Sequence, residues 1–241
     1  MNFKTQKIYL NFGFWNLAFS CILCLASYIL FSSRVEAGTP LSINQIIEKV
    51  QAVYDHTEDV QADFDQETKL KSWNQTQVAR GKVYFKKNGR MYWQYLVPVS
   101  QKVISDGEKV WVYIPQDKQV MVSEINRDLQ SQIASNLISG KGNLRNDFDI
   151  TLADSPSEDK NCYRLKLKPP QPQANIDKIF LSVDKTNFQV FQTEIIDAFG
   201  NSNRIIFSHI KINNHLPDSW FQFVVPEGVE VITFPQIPIS R

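Results

Sequence analysis

Apolar positions along TPLSINQIIEKVQAVYD recur at helical spacing: Ile43, Ile46, Ile47, Val50, Val53 and Tyr54 form one stripe with a polar back. Ser42 with Gln45 three residues on is a capping-box pattern, and Leu41 with Ile46 can form the hydrophobic staple. The spacing predicts an amphipathic helix, which needs an apolar surface to lie on. From about residue 60 the period changes to two. Residues 60–70, 77–87, 90–97, 101–105 and 109–114 read as strands. They are separated by KKNG (86–89), VPVS (97–100), SDG (105–107) and PQDK (115–118), the Asn, Gly, Asp and Pro chemistry of tight turns.

A second set of strands is predicted at 148–153, 163–169, 176–184, 188–197, 203–212 and 219–226, with turns at DKTN (184–187) and AFGN (198–201). Between the two sets, Leu129, Ile133, Leu137 and Ile138 repeat at helical intervals and Gly140 supplies a stop, so a second short amphipathic helix is expected within 125–143. Residues 155–161 and 169–175 read as loops. Some ten short strands at this spacing make the fold mainly β with α, a strongly curved antiparallel sheet or barrel.

The N-terminus changes the picture of where this fold works. Lys4 and Lys7 precede the apolar run LAFSCILCLASYILF (17–31), and Val35-Glu36-Ala37 supplies an A-x-A-like site. That order is that of a secretory signal peptide covering residues 1–37, leaving 38–241 as a single domain. The competing reading is an uncleaved anchor, since no charge interrupts residues 8–33. Neither Cys21 nor Cys24 has the flanking residues of a lipidation site. Only Cys162 remains beyond the signal, so no intramolecular disulfide forms and the core must supply stability unaided.

Loss of Lys4, Lys7, Arg34 and Glu36 takes the net charge from +1 to −1. A near-neutral exported chain is ill suited to a polyanion, whose binding rests on neutralising several phosphates at once. RGKVYFKKN echoes the aromatic RNA-binding strand, but Val83-Tyr84 stands where a small residue is needed and no β-α-β order surrounds it. Nucleic acid is therefore not an expected partner.

Catalytic chemistry is equally poorly represented. His56, His209 and His215 lie in no H-E-x-x-H, and a lone cysteine gives no zinc spacing. Asp63 with Asp65, and Asp147 with Asp149, read as the solvated face of strands. No nucleophile, base and orienting group assemble in sequence, so neither an enzyme nor a cofactor or metal is expected.

What remains is apolar β-faced surface. Val83, Phe85 and Lys87 share one face of their strand, as do Met91, Trp93 and Tyr95 past the turn. Trp111 and Tyr113 repeat the habit, while Val110 and Val112 take the opposite side. Both faces being apolar, one helix covers too little of them. An interior lined by rings and Met suits either an ordinary core or a flexible apolar ligand.

The order G-x-V-Y-F-K-K-x-G-R-M-Y-W-x-Y (81–95), Pro98 and VISDGEKVWVYIPQDKQV (103–120) resembles the outer-membrane lipoprotein carrier (LolA) family. VQADFDQ (60–66) and FQFVVPEGVEVI (221–232) extend the resemblance over roughly 42–232. It implies an unclosed β-barrel capped by amphipathic helices, working in the periplasm as a monomer without a cofactor. Its cavity would take the acyl chains of lipoproteins, received from an inner-membrane ABC-type release complex and passed to an outer-membrane receptor. The fold's relatives also include lipid or glycolipid carriers and lipoprotein-sensing proteins. The expected cavity residues are Val83, Phe85, Met91, Trp93, Tyr95 and Trp111, under a lid presenting Leu129, Ile133 and Leu137. In the family a basic residue after the first of these strands bonds to the lid helices and holds the empty state closed. Its counterpart is Lys87, and Asn88 stands where the family commonly has Pro.

Overall fold

In a computed structural model, residues 40–124, 143–154, 161–171 and 176–233 are described. The expected signal segment and the expected lid residues Leu129, Ile133 and Leu137 lie outside them. The first helix, α1, spans Ile43–Asp55. Its capping box forms as the sequence predicts: Gln45 N donates to Ser42 Oγ at 3.4 Å and Ser42 N to Gln45 Oε1 at 2.8 Å. Those bonds satisfy two amide donors that a helix start otherwise leaves orphaned. A four-residue helix, α2 (Leu144–Asp147), braces α1. Arg145 bonds to the carbonyl of Asn44 at 3.0 Å and pairs with Glu48 at 2.9 Å.

Twelve strands follow in one sheet: β1 (Asp59–Leu70), β2 (Gln75–Lys86), β3 (Arg90–Val97), β4 (Gln101–Asp106), β5 (Lys109–Ile114) and β6 (Gln119–Glu124), then β7 (Asp149–Ala153), β8 (Cys162–Lys168), β9 (Lys178–Asp184), β10 (Val190–Ile196), β11 (Ser202–Ile212) and β12 (Glu230–Thr233). Their order across the sheet is β12-β6-β5-β4-β3-β2-β1-β11-β10-β9-β8-β7. The two sequence blocks thus join through the β1–β11 pair, and among the described residues the ends at β12 and β7 have no further strand partner, leaving the sheet unclosed. All pairs are antiparallel except β12 with β6. Bulges in β11, β3 and β10, opposite β1, β2 and β9, interrupt the register, a device that bends a sheet.

Three local readings need correction. The strand expected at 219–226 does not form. Asp218–Phe221 is a 3-10 turn, and the strand comes later as β12. Residues 216–223 lie instead across one face of β2–β5, where Phe221 is fully buried and Trp220 meets Tyr84 edge-on at 4.9 Å. This segment covers the second apolar face for which one helix was insufficient. β6, absent from the expected strands, forms directly after the PQDK turn. Lys87 shares no strand face with Val83 and Phe85, because β2 ends at Lys86 and Lys87 belongs to the turn. In that turn Asn88 and Gly89 both have left-handed backbone, φ 68° and 75°. Proline, locked near −65°, has no access to such a conformation, whereas Asn-Gly favours it.

Cross-strand partners lie on one face of a sheet. Val83, Trp93, Val103, Val112 and Met121 are successive partners across β2–β6. The same face continues through Phe64 and Phe207 to Ile205, Thr193, Leu181 and Leu165. It carries two apolar clusters. Ile46, Ile47 and Val50 of α1 pack with Leu165, Leu167, Ile179, Leu181 and Val183 at one end. Ala62, Phe64, Val83, Phe85, Ile205 and Phe207 form the other. Each fully buried aliphatic or aromatic side chain contributes about 1.5–3 kcal/mol.

Candidate functional site

The aromatic wall is built from facing pairs: Val83 opposite Trp93, Phe85 opposite Met91, and Gly81 opposite Tyr95. Phe64 of β1 is the hub, meeting Trp93 at 4.9 Å and Tyr95 at 5.1 Å, both edge-on. Gly81 makes that possible, because a Cβ there would lie 2.8 Å from Phe64 Cε1 and 2.0 Å from the carbonyl oxygen of Gln94. Tyr95 keeps its hydroxyl satisfied by donating to Gln66 Oε1 at 3.2 Å, and burial pushes its phenol pKa up.

Beside this wall, between the two clusters, lies a cavity of about 70 Å³. Val53 and Tyr54 at the end of α1, Val83 and Phe85, Phe207 and Thr193 contribute to its lining. Glu58, Lys86 and Lys87 supply its polar edge. Of the residues singled out by sequence, Val83 and Phe85 line the cavity. Met91, Trp93 and Tyr95 continue the same face alongside, partly buried against the cluster of Phe64 and Phe85. Trp111 is a correction. Its partner is Ile104, which faces Tyr92 and through it Tyr84, so it occupies the opposite face. There its ring lies 6.3 Å from Phe223, inside the cover made by residues 216–223.

The basic turn divides its three cations between the two faces. Lys87 Nζ donates to the carbonyl of Asp55 at 3.2 Å and pairs with Glu58 Oε1 at 2.5 Å, while its backbone N–H donates to the Glu58 carbonyl at 3.0 Å. A cation on the last carbonyls of a helix is favoured by capping and by the helix dipole. Lys86 bonds to the Leu216 carbonyl at 2.7 Å and pairs with Asp218, which Arg90 also reaches at 2.8 Å. The Lys86 hydrogen bond, with the charges of Arg90 and Lys86, holds the Asp218 carboxyl below its ordinary range. Buried Asp59 fixes the segment leading out of β11, accepting from Asn214 N at 2.7 Å and Leu216 N at 3.1 Å.

Asp63 and Asp65 behave as the expected solvated strand carboxylates, whereas Asp147 closes α2 and only Asp149 lies on a strand. Asp65 pairs with Arg80 at 2.6 Å and Asp63 with His209 at 2.9 Å, both on the exposed side. Among the described residues no three His, Cys, Asp or Glu side chains gather as metal ligands. No helix among them is long and apolar enough to cross a membrane. Phe207, Ile210 and Ile212 of β11 and Val190 and Thr193 of β10 line the cavity without having been singled out by sequence. Their alternation marked them as strand residues, but only the long-range β1–β11 pairing brings them to the site.

An unclosed sheet curved around an apolar cavity, with a helix along one side of it, defines a binding module for an apolar ligand. The chain belongs to the outer membrane lipoprotein carrier protein LolA family, whose model matches residues 55–224. It is 31% identical to the outer-membrane lipoprotein carrier protein of Pseudomonas entomophila, over 83% of this chain and 91% of that one. It is 30% identical to that of Pseudomonas fluorescens, over 88% and 96%. Among solved structures, an uncharacterized conserved protein of Thermus thermophilus shares the fold at 14% identity. Its TM-score is 0.52, over 80% of this chain and 100% of that one.

Proposed function

We propose that this protein is a periplasmic chaperone that shelters the acyl chains of lipoproteins in the cavity beside α1. It carries them from the inner to the outer membrane. The supporting observation is the continuity of the cavity with the wall of Phe64, Phe85, Met91, Trp93 and Tyr95, all on one face of the sheet. Each buried CH₂ of an acyl chain gains about 0.8 kcal/mol, so a lipidated protein does not leave its membrane without such a shelter. Family membership supports lipoproteins as the cargo.

The cavity of about 70 Å³ is far below the roughly 300–1,000 Å³ of ordinary ligand pockets. Acyl chains therefore enter by widening it, and the movable side is α1, which is held at its C-terminal end by Lys87. Lys87 is the latch in this reading. Its pair with Glu58 is partly exposed, and such pairs contribute only about 0–1 kcal/mol, weak enough for arriving cargo to displace. An inner-membrane ABC-type complex supplies the loaded lipoprotein and an outer-membrane receptor accepts it. The test is release of a radiolabelled lipoprotein from inner-membrane vesicles into the supernatant by the purified protein. Acyl-chain binding without any release points to a lipid carrier rather than a lipoprotein carrier.

A further inference from the structure

Thr193 of β10 is 3% exposed, and its hydroxyl has no hydrogen-bond partner among the described residues. Its cross-strand neighbours are Leu181 on β9 and Ile205 on β11, one from each apolar cluster. The side chain thus stands at the seam of the two clusters and contributes to the cavity lining. A buried polar group without a partner costs about 1–3 kcal/mol, and native proteins keep few of them. Valine, of the same shape, would remove that cost.

A second hydroxyl shares the cavity. Tyr54 at the end of α1 lines it, and no hydrogen bond to its phenol occurs among the described residues. Burial pushes the Tyr54 pKa up, so the phenol stays a neutral O–H donor. Val53, Ala62, Val83, Phe85 and Phe207 around them offer no acceptor from a side chain, while Thr57, Glu58, Asp59 and Gln189 also contribute to the lining. Two hydroxyls without a described partner, beside this apolar stretch of the wall, can take an acceptor carried in by the ligand.

We propose that Thr193 and Tyr54 form a polar subsite that hydrogen-bonds the carbonyl oxygen of an acyl ester or amide, so that the cavity distinguishes acyl chains from plain alkyl chains. The inference rests on the acyl-binding reading above and sharpens its ligand class. An alkyl chain supplies burial but leaves both donors unpaired. An acyl chain brings, at its head, the one strong acceptor that a lipid tail possesses. The Thr193 hydroxyl and the Tyr54 phenol donate, and the carbonyl accepts.

The experiment compares dipalmitoylglycerol with its ether counterpart, dihexadecylglycerol, which has the same chains and no carbonyl. Binding is measured by displacement of a fluorescent hydrocarbon probe. One net hydrogen bond corresponds to roughly a three- to tenfold preference for the ester. Thr193→Val is expected to abolish most of that preference, read as the ratio of ester to ether affinity in the same variant, and Thr193→Ser to retain it. Thr193→Val is also expected to raise the melting temperature of the ligand-free protein, because it deletes an unpaired buried hydroxyl. Thr193→Ala serves for binding if the valine variant does not fold. Equal wild-type affinity for ester and ether overturns the subsite while leaving the acyl-carrier reading intact. So does an ester preference that survives loss of the hydroxyl. Failure of both lipids to displace the probe overturns the carrier reading itself.

Discussion

Lys87, in the turn between β2 and β3, donates a hydrogen bond of 3.2 Å to the main-chain carbonyl of Asp55, the last residue of α1. The contact joins the aromatic wall of the cavity to the helix beside it, and with the Glu58 pair it is the described side-chain tie of the turn to that helix. We predict that Lys87→Leu speeds release of a bound fluorescent fatty acid several-fold. The cost in global stability should be under about 1 kcal/mol, as for partly exposed ion pairs. Stopped-flow dissociation with parallel urea titrations measures both. Unchanged release would remove the latch from the account.

The two tryptophans at sequence positions 93 and 111 should separate function from scaffold. Trp93→Ala takes a ring from the cavity face, where it contacts Phe64 and Phe85. Its expected effect is weaker acyl binding, at least tenfold in Kd. Trp111→Ala takes a ring from the opposite face and loosens the cover around Phe223. There the expected effect is a stability loss of about 1–3 kcal/mol with binding retained, below the full core value because the ring is only partly buried. Titration of a fluorescent fatty acid against both variants decides it; equal binding losses would contradict the assignment of faces.

That contrast marks what the sequence could carry. Val83, Phe85, Met91 and Trp93 were legible because period-two alternation on both sides of the KKNG turn places them together whatever the turn's details. Trp111 was not, because Val110, Trp111, Val112 and Tyr113 are all apolar, and alternation alone names two faces without saying which meets Trp93. Only the pairing of Trp111 with Ile104 settles it. The segment 219–226 alternates Phe221 and Phe223 as a strand would, yet it lies between Pro217 and Pro226, which donate no N–H. Its rings are used to cover a sheet rather than to extend one. Lys87 stood out through family resemblance alone, and the β10 and β11 lining depends on pairing across more than a hundred residues.

Gly81 is required by packing. Gly81→Ala would force a Cβ to within 2.0 Å of the Gln94 carbonyl oxygen and 2.8 Å of Phe64. The backbone atom cannot swing aside as a flexible side chain can. The predicted loss is about 1–3 kcal/mol or more, with a weakened Phe64 contact to Trp93 and Tyr95. Urea unfolding measures the first and near-ultraviolet circular dichroism the second. A variant as stable as wild type would mean that β2 and β3 sit further apart there.

Acid should loosen the cover over the opposite face. The Asp218 carboxyl is held below the ordinary aspartate value of about 3.9 by Lys86 and Arg90. A depressed folded-state pKa contributes stability that is fully present above the unfolded value and is lost as pH falls through the folded one. The contribution is therefore intact at neutral pH and disappears below about pH 4. Asp218→Asn should flatten the fall in stability between pH 5 and pH 2 and change little in shape above it. Identical pH profiles for variant and wild type would show that the Lys86–Asp218–Arg90 contact contributes nothing.

The central claim is that the protein makes lipoproteins soluble by holding their acyl chains. The most direct measurement incubates inner-membrane vesicles, carrying a labelled lipoprotein and an active release complex, with the purified protein and sediments the membranes. The account predicts a soluble complex of protein and lipoprotein in the supernatant, its yield reduced by Trp93→Ala and unaffected by Trp111→Ala. A lipoprotein that stays wholly with the vesicles, while the protein remains folded and in excess, would contradict it.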